Sequence, residues 1–147
     1  AMAPQRGNLD QQVTMEHLSA NTTSQQTVHN IVADRGKSTF NGRIHIHAGA
    51  RNSNANLSNK NIGLGANATI NTKPELEIYN DDVSCSHGAT IGQLDNDQLF
   101  YLCSRGVDPN AARQLLCEGF LQQCVGGPLA DSATAGLLEP LQGLSIQ

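Results

Sequence analysis

Apolar side chains recur at Leu18, Ile31, Ile44, Leu57, Ile70 and Val83, each thirteen residues from the last, with Asn and Gly crowding the intervals. Around these positions the pattern alternates, as in Arg43-Ile44-His45-Ile46-His47 and Glu75-Leu76-Glu77-Ile78-Tyr79. Alternation puts successive side chains on opposite faces and predicts short, half-buried strands. A strand and an Asn-rich corner at constant pitch predict a solenoid, in which a rung covers its apolar face only by stacking on its neighbours. Two thirteen-residue units would then make one coil. An all-β sandwich is the competing architecture, and it suits less well a chain with 3% aromatic residues and no Trp.

The series stops at Asn96, and the signal turns helical. Asp95 is an N-cap for a helix carrying Leu99, Phe100, Leu102 and Cys103 and stopping at Gly106. Asp108 caps a second helix, Pro109 suits its first position, and Ala112, Leu116 and Phe120 form one stripe that Cys124 extends. Gly126-Gly127-Pro128 ends it. The expected organisation is β-rungs over residues 1–92, the first dozen of them a cloning scar or disordered, then a helical domain over 93–126. A tail follows over 127–147, with a short helix near 130–138.

The length, 147 residues, is that of one domain. The net charge of -4 hides an asymmetry. Residues 1–73 carry seven Lys/Arg against three Asp/Glu, and residues 74–147 carry two against ten. The cations of the first half are dispersed and have no aromatic platforms among them, which argues against nucleic-acid binding. No apolar run approaches the roughly 20 residues that cross a bilayer, so no membrane association is expected. No charged-then-apolar leader opens the chain, which points to the cytoplasm, although Ala1-Met2-Ala3 looks like a scar or a cut-out fragment. The four cysteines, Cys85, Cys103, Cys117 and Cys124, include no C-x-x-C pair, and reduced thiols are expected.

Several motifs carry candidate chemistry. Arg35-Gly36-Lys37-Ser38-Thr39 is like the end of a phosphate-binding loop, but Ile31 stands where the first Gly is required, so no nucleotide is expected on this chain. Glu75, Glu77, Asp81 and Asp82 could serve acid–base chemistry, with solvated charge as the commoner meaning of such a cluster. His45 and His47 share one strand face and could give a metal two bonds, with no third ligand visible nearby and paired surface histidines the commoner reading. The densest chemistry is Val83-Ser84-Cys85-Ser86-His87-Gly88-Ala89-Thr90. Cys85 and His87 lie two apart on one face, a thiol and an imidazole suited to iron–sulfur or other soft-metal ligation, or to a Cys/His nucleophilic dyad. A packed strand end is the plain alternative. Gly88 leaves room beside His87 for a partner's backbone or a bound species.

Four segments together carry a family resemblance: Phe40-Asn41-Gly42-Arg43-Ile44, Asn71-Thr72-Lys73-Pro74-Glu75-Leu76-Glu77-Ile78-Tyr79, Cys85-Ser86-His87-Gly88-Ala89-Thr90 and Leu99-Phe100-Tyr101-Leu102-Cys103-Ser104-Arg105-Gly106. In this order, from about Gly36 to Val125, the chain resembles the C-terminal part of the SufB/SufD scaffold family of the Suf iron–sulfur cluster assembly system. Gly88, where B-type members typically carry an acidic residue, points to the D-type branch. The resemblance implies a right-handed parallel β-helix followed by a short helical domain, and a non-enzymatic scaffold role. It implies a B-type subunit as partner through the β-helix and an ABC-type ATPase docked on the helices. It also implies an iron–sulfur cluster held transiently and shared with the partner subunit. Carried over by position, His87 is the proposed cluster or iron ligand with Cys85 as its helper. Leu99, Phe100, Tyr101 and Arg105, with the second helix through Phe120, match the ATPase-docking region. Cys103, Cys117 and Cys124 are read as packing residues. Family members are much longer, so a chain beginning here would expose an unstacked rung and self-associate through it unless residues 1–20 fold over that end.

Overall fold

The computed structural model describes residues 2–3 and 6–124. The elements run β1 (Met2–Ala3), β2 (Asn8–His17), β3 (Thr23–Val32), β4 (Lys37–Ile46), β5 (Ser53–Gly63), β6 (Thr69–Ile78), β7 (Val83–Gly92), α1 (Asn96–Ser104) and α2 (Pro109–Gln122). The fold is mainly β, with two helices after the strands. One sheet has the order β1-β3-β5-β7 and the other β2-β4-β6. All pairings are parallel. Consecutive strands therefore fall in different sheets, and each strand pairs with the one two elements later. The expected tail lies outside the described residues, as does the Gly126-Gly127-Pro128 stop.

The thirteen-residue period does not survive as the structural repeat. Asn8 pairs with Lys37, Lys37 with Thr69, Thr23 with Asn54 and Asn54 with Ser84. Side chains bond between paired strands at separations of 30 and 31 residues, and Asn80 Nδ2 donates to the Ala48 carbonyl 32 residues back. Ile31, Ile44 and Leu57 are all buried, but in β3, β4 and β5, at positions that never pair with one another. Leu18 lies outside the strands and is 65% exposed. The regular spacing arises from core positions of successive strands in opposite sheets. β2 starts at Asn8 and runs in register with β4.

Alternation holds along the strands. In β4, Ser38, Phe40, Gly42, Ile44 and Ile46 face the interior, and Arg43 and His45 face outward. Phe40, Ile44, Ile46, Ala50, Ala55 and Leu57 make the central cluster. Gly42 is required there, because a Cβ would lie 2.7 Å from the Phe40 ring and 2.8 Å from Leu57 Cδ2. The interior also holds amides. Asn30 Nδ2 donates to Asn61 Oδ1 (3.0 Å), Asn61 Nδ2 donates to Asn59 Oδ1 (2.7 Å) and to the Thr90 carbonyl (3.0 Å), and Thr72 Oγ1 donates to Asn59 Oδ1 (2.8 Å). This network joins β3, β5, β7 and β6. At one corner Asn21 and Asn52 both take left-handed backbone angles (φ 60° and 54°), and Asn52 Nδ2 donates to Asn21 Oδ1 at 2.6 Å. Asparagine tolerates that conformation better than most residues.

Both helix starts follow their caps. Asp95 Oδ1 accepts from the Asp97 and Gln98 amides, and Asp108 Oδ1 from those of Asn110 and Ala111. Gly106 follows α1 at φ 87°. The buried face of α2 is Ala112, Cys117 and Leu121, rotated from the expected stripe so that Leu116 and Phe120 flank it half-buried. Cys117 and Leu121 pack on Ile31 of β3. Burial pushes the Cys117 thiol up to about 11, as befits a packing residue.

Candidate functional site

The thiol–imidazole pair sits where the stack of strands stops. In β7, Cys85 pairs with Ala55 and His87 with Leu57, so both side chains continue the inward-facing columns of β5. Ala55 and Leu57 are buried, Leu57 to 1% exposure. Cys85 is half-buried against the central cluster, and His87 and every residue from there to Gly92 are exposed. The reason is topological. β7 ends its sheet and β6 ends the other, and no later strand covers them among the described residues. The same uncovered end leaves Ile78 and Ile91 exposed. It presents an apolar rim, two free strand edges of backbone donors and acceptors, a thiol and an imidazole.

Burial pushes the Cys85 thiol above its ordinary value, with a backbone hydrogen bond from Ala55 acting in the opposite sense. A nucleophilic dyad needs the reverse, a thiol lowered by its imidazole. The His87 ring makes no hydrogen bond or ion pair among the described residues, and a Cβ on Gly88 would meet nothing within 4 Å. The four cysteines are free thiols.

The docking residues read from the resemblance separate into two groups. Phe100 (75% exposed) and Tyr101 (57%) stand out from α1, with the Arg105 guanidinium 5.1 Å from the Tyr101 ring centroid. Leu99 is half-buried beside them and lines a groove with Leu64, Leu94 and Arg113. Phe120 is turned the other way. Its ring stacks on His29 of β3 at 4.4 Å and its carbonyl accepts from His29 Nδ1 at 2.8 Å, so it seats α2 on the sheet.

One group of ligands was only half visible in the sequence. His45 and His47 do share an outward face of β4, and the register of β2 on β4 sets Glu16 directly opposite His45. The missing signal was the coil length, which the apparent thirteen-residue spacing misstates. Lys37, Ser38 and Thr39, the loop-like segment, open a strand rather than a helix.

The fold and this end define a protein of two parallel sheets that leaves a thiol and an imidazole on its last strand. The chain belongs to the family described as SUF system FeS cluster assembly, SufBD core domain, which it matches over residues 1–120. It is 41% identical over 111 residues to the iron–sulfur cluster assembly protein SufD of Escherichia coli K12, covering 76% of this chain and 26% of that one. It is 47% identical over 90 residues to a SufBD family protein of Synechocystis sp. PCC 6803, covering 61% of this chain and 20% of the other. To SufB of Bacillus subtilis it is 31% identical over 122 residues, covering 83% and 26%. The chain thus spans about a quarter or less of the length of these relatives. Among the described residues no helix is long and apolar enough to cross a membrane.

Proposed function

We propose that this chain is the C-terminal part of a SufD-type scaffold subunit that pairs with a B-type subunit through the open β6/β7 end and shares a nascent iron–sulfur cluster there. The observation that carries the reading is the exposure of His87, with Cys85 half-buried beside it, on inward-facing positions of the last strand. A partner strand laid on that edge would bury the apolar rim and enclose the two ligands at the seam. The two parallel sheets are read as a right-handed parallel β-helix, working in the cytoplasm or an equivalent compartment. The cluster is cargo, and nothing in the role requires this chain to catalyse a reaction. At the opposite end β2 keeps Leu9, Val13 and Met15 half-buried, a surface for further coils or for self-association.

His87→Ala, placed in the full-length subunit and reconstituted anaerobically with the B-type subunit and the ATPase, should leave the complex assembled and abolish cluster maturation. Normal maturation in that variant would overturn the ligand role. A second reading, an interaction module that only anchors the ABC-type ATPase, is favoured by the exposed Phe100, Tyr101 and Arg105 surface. On that reading Tyr101→Ala releases the ATPase while His87→Ala is silent.

A further inference from the structure

On the outer face of β2, β4 and β6, remote in sequence from the thiol–imidazole end, three donors converge. Glu16, His45 and His47 each offer one ligand atom, and these atoms lie within 4.8 Å of one another. The arrangement follows from register. His45 and His47 are two apart on one face of β4, and β2 places Glu16 beside them. The imidazoles are already aligned, with ring centroids 4.1 Å apart and planes within 5°. His47 Nε2 is buried from solvent and has no hydrogen-bond partner, and Glu16 Oε2 lies 3.6 Å from it. Behind His45 stands a second carboxylate: Glu77 Oε2 lies 3.4 Å from His45 Nδ1, and Arg43 holds Glu77 Oε1 at 3.4 Å. A carboxylate on one imidazole nitrogen fixes the ring and leaves the other nitrogen as donor, the usual support for a metal-bound histidine.

We propose that Glu16, His45 and His47 bind one divalent first-row transition ion, of the class of Zn2+ or Fe2+. Two imidazoles and a carboxylate are hard-to-borderline donors, suited to these ions and not to Mg2+ or Ca2+, and three protein ligands leave at least one position open to water. Glu77 is a positioning residue. The ion ties β2 to β4, so occupancy strengthens the contact between successive coils. The site is independent of the cluster ligands.

The test is calorimetric titration of the full chain with Zn2+ and, anaerobically, with Fe2+, run in parallel on Cys85→Ser/His87→Ala so that the other end cannot contribute. One equivalent of Zn2+ should bind in both backgrounds, more tightly than Fe2+. Glu16→Gln and His47→Ala should each weaken it by tenfold or more, and Glu77→Gln by about 10- to 100-fold. Co2+ should give a visible spectrum without the intense thiolate band, and Zn2+ should raise the melting temperature of the parent chain but not of Glu16→Gln. No bound ion in the double variant, or affinities unchanged in Glu16→Gln and His47→Ala, would reduce the cluster to a surface ion pair and overturn the assignment. Because Glu16→Gln and His47→Ala leave Cys85 and His87 intact, failure here is separable from failure of the scaffold reading.

Discussion

The middle and the end of the strand stack are built from the same columns of side chains and do opposite things. In the column Gln26–Leu57–His87 the central member is buried and the last is exposed, and in Ser24–Ala55–Cys85 the last is half-exposed. Alternation along β5 and β7 is the same. What differs is whether another strand follows. A residue that would be core one strand earlier becomes exposed at the edge, so the candidate site arises from the place where strand pairing stops rather than from a distinct local motif.

The sharpest way to break this comparison is to remove bulk at equivalent depth in the two regions. Phe40 is fully buried and fills the space above Gly42. Phe40→Ala should cost about 3–5 kcal/mol in urea unfolding. Ile91 continues the interior column of Asn30 and Asn61 but is 57% exposed, and Ile91→Ala should change stability by no more than about 0.5 kcal/mol. Equal losses would mean that the end is covered in solution, as self-association through it would require.

A smaller contrast uses polar groups. Asn61 is buried, donates to Asn59 and to the Thr90 carbonyl, and accepts from Asn30. Asn61→Ala strands those partners in the interior and should cost about 1–3 kcal/mol. Asn56 points outward and donates to Ser86 Oγ at 2.7 Å in an exposed bond. Asn56→Ala should lie within about 0.5 kcal/mol of the parent. Thermal melts of the two variants would separate an interior amide ladder that holds the coils in register from a surface one that does not.

The same logic explains what could be read in advance. Period-two alternation identified the strands at 43–47 and 75–79, and the capping aspartates at 95 and 108 marked both helix starts, because those signals are local. The coil length could not be read, since corners of unequal length separate strands that belong to different sheets, and the apparent spacing of Ile31, Ile44 and Leu57 never joined paired positions. For that reason Glu16 was invisible beside His45. Cys85 and His87 were legible as one face, but alternation does not say whether a face is covered. That depends on the strand that would come next. Phe120 was legible as part of a helix stripe, and its orientation toward β3 was set by how α2 rotates on the sheet.

Two histidines of one sheet, on strands separated by β5, differ in the same way. His29 in β3 is covered by α2, stacked on Phe120 and hydrogen-bonded to its carbonyl, whereas His87 in β7 is uncovered. Burial holds the His29 ring below its ordinary value of 6.5, helped by the charge of Lys60 and opposed by the Phe120 bond. The folded chain therefore resists a proton that the unfolded chain accepts as the pH falls through 6.5. Since the unfolded state then binds more protons, this contribution is complete above 6.5 and is lost progressively below it, until the folded ring also titrates. The loss should appear first as weakened seating of α2 on β3, read as faster amide exchange in α2, relative to β4, between about pH 7.5 and about pH 5.5 after correction for intrinsic rates. His29→Gln keeps a donor for the Phe120 carbonyl and removes the titration, so it should flatten that difference. If the variant keeps the full pH dependence, the seam is being loosened by groups other than the covered histidine.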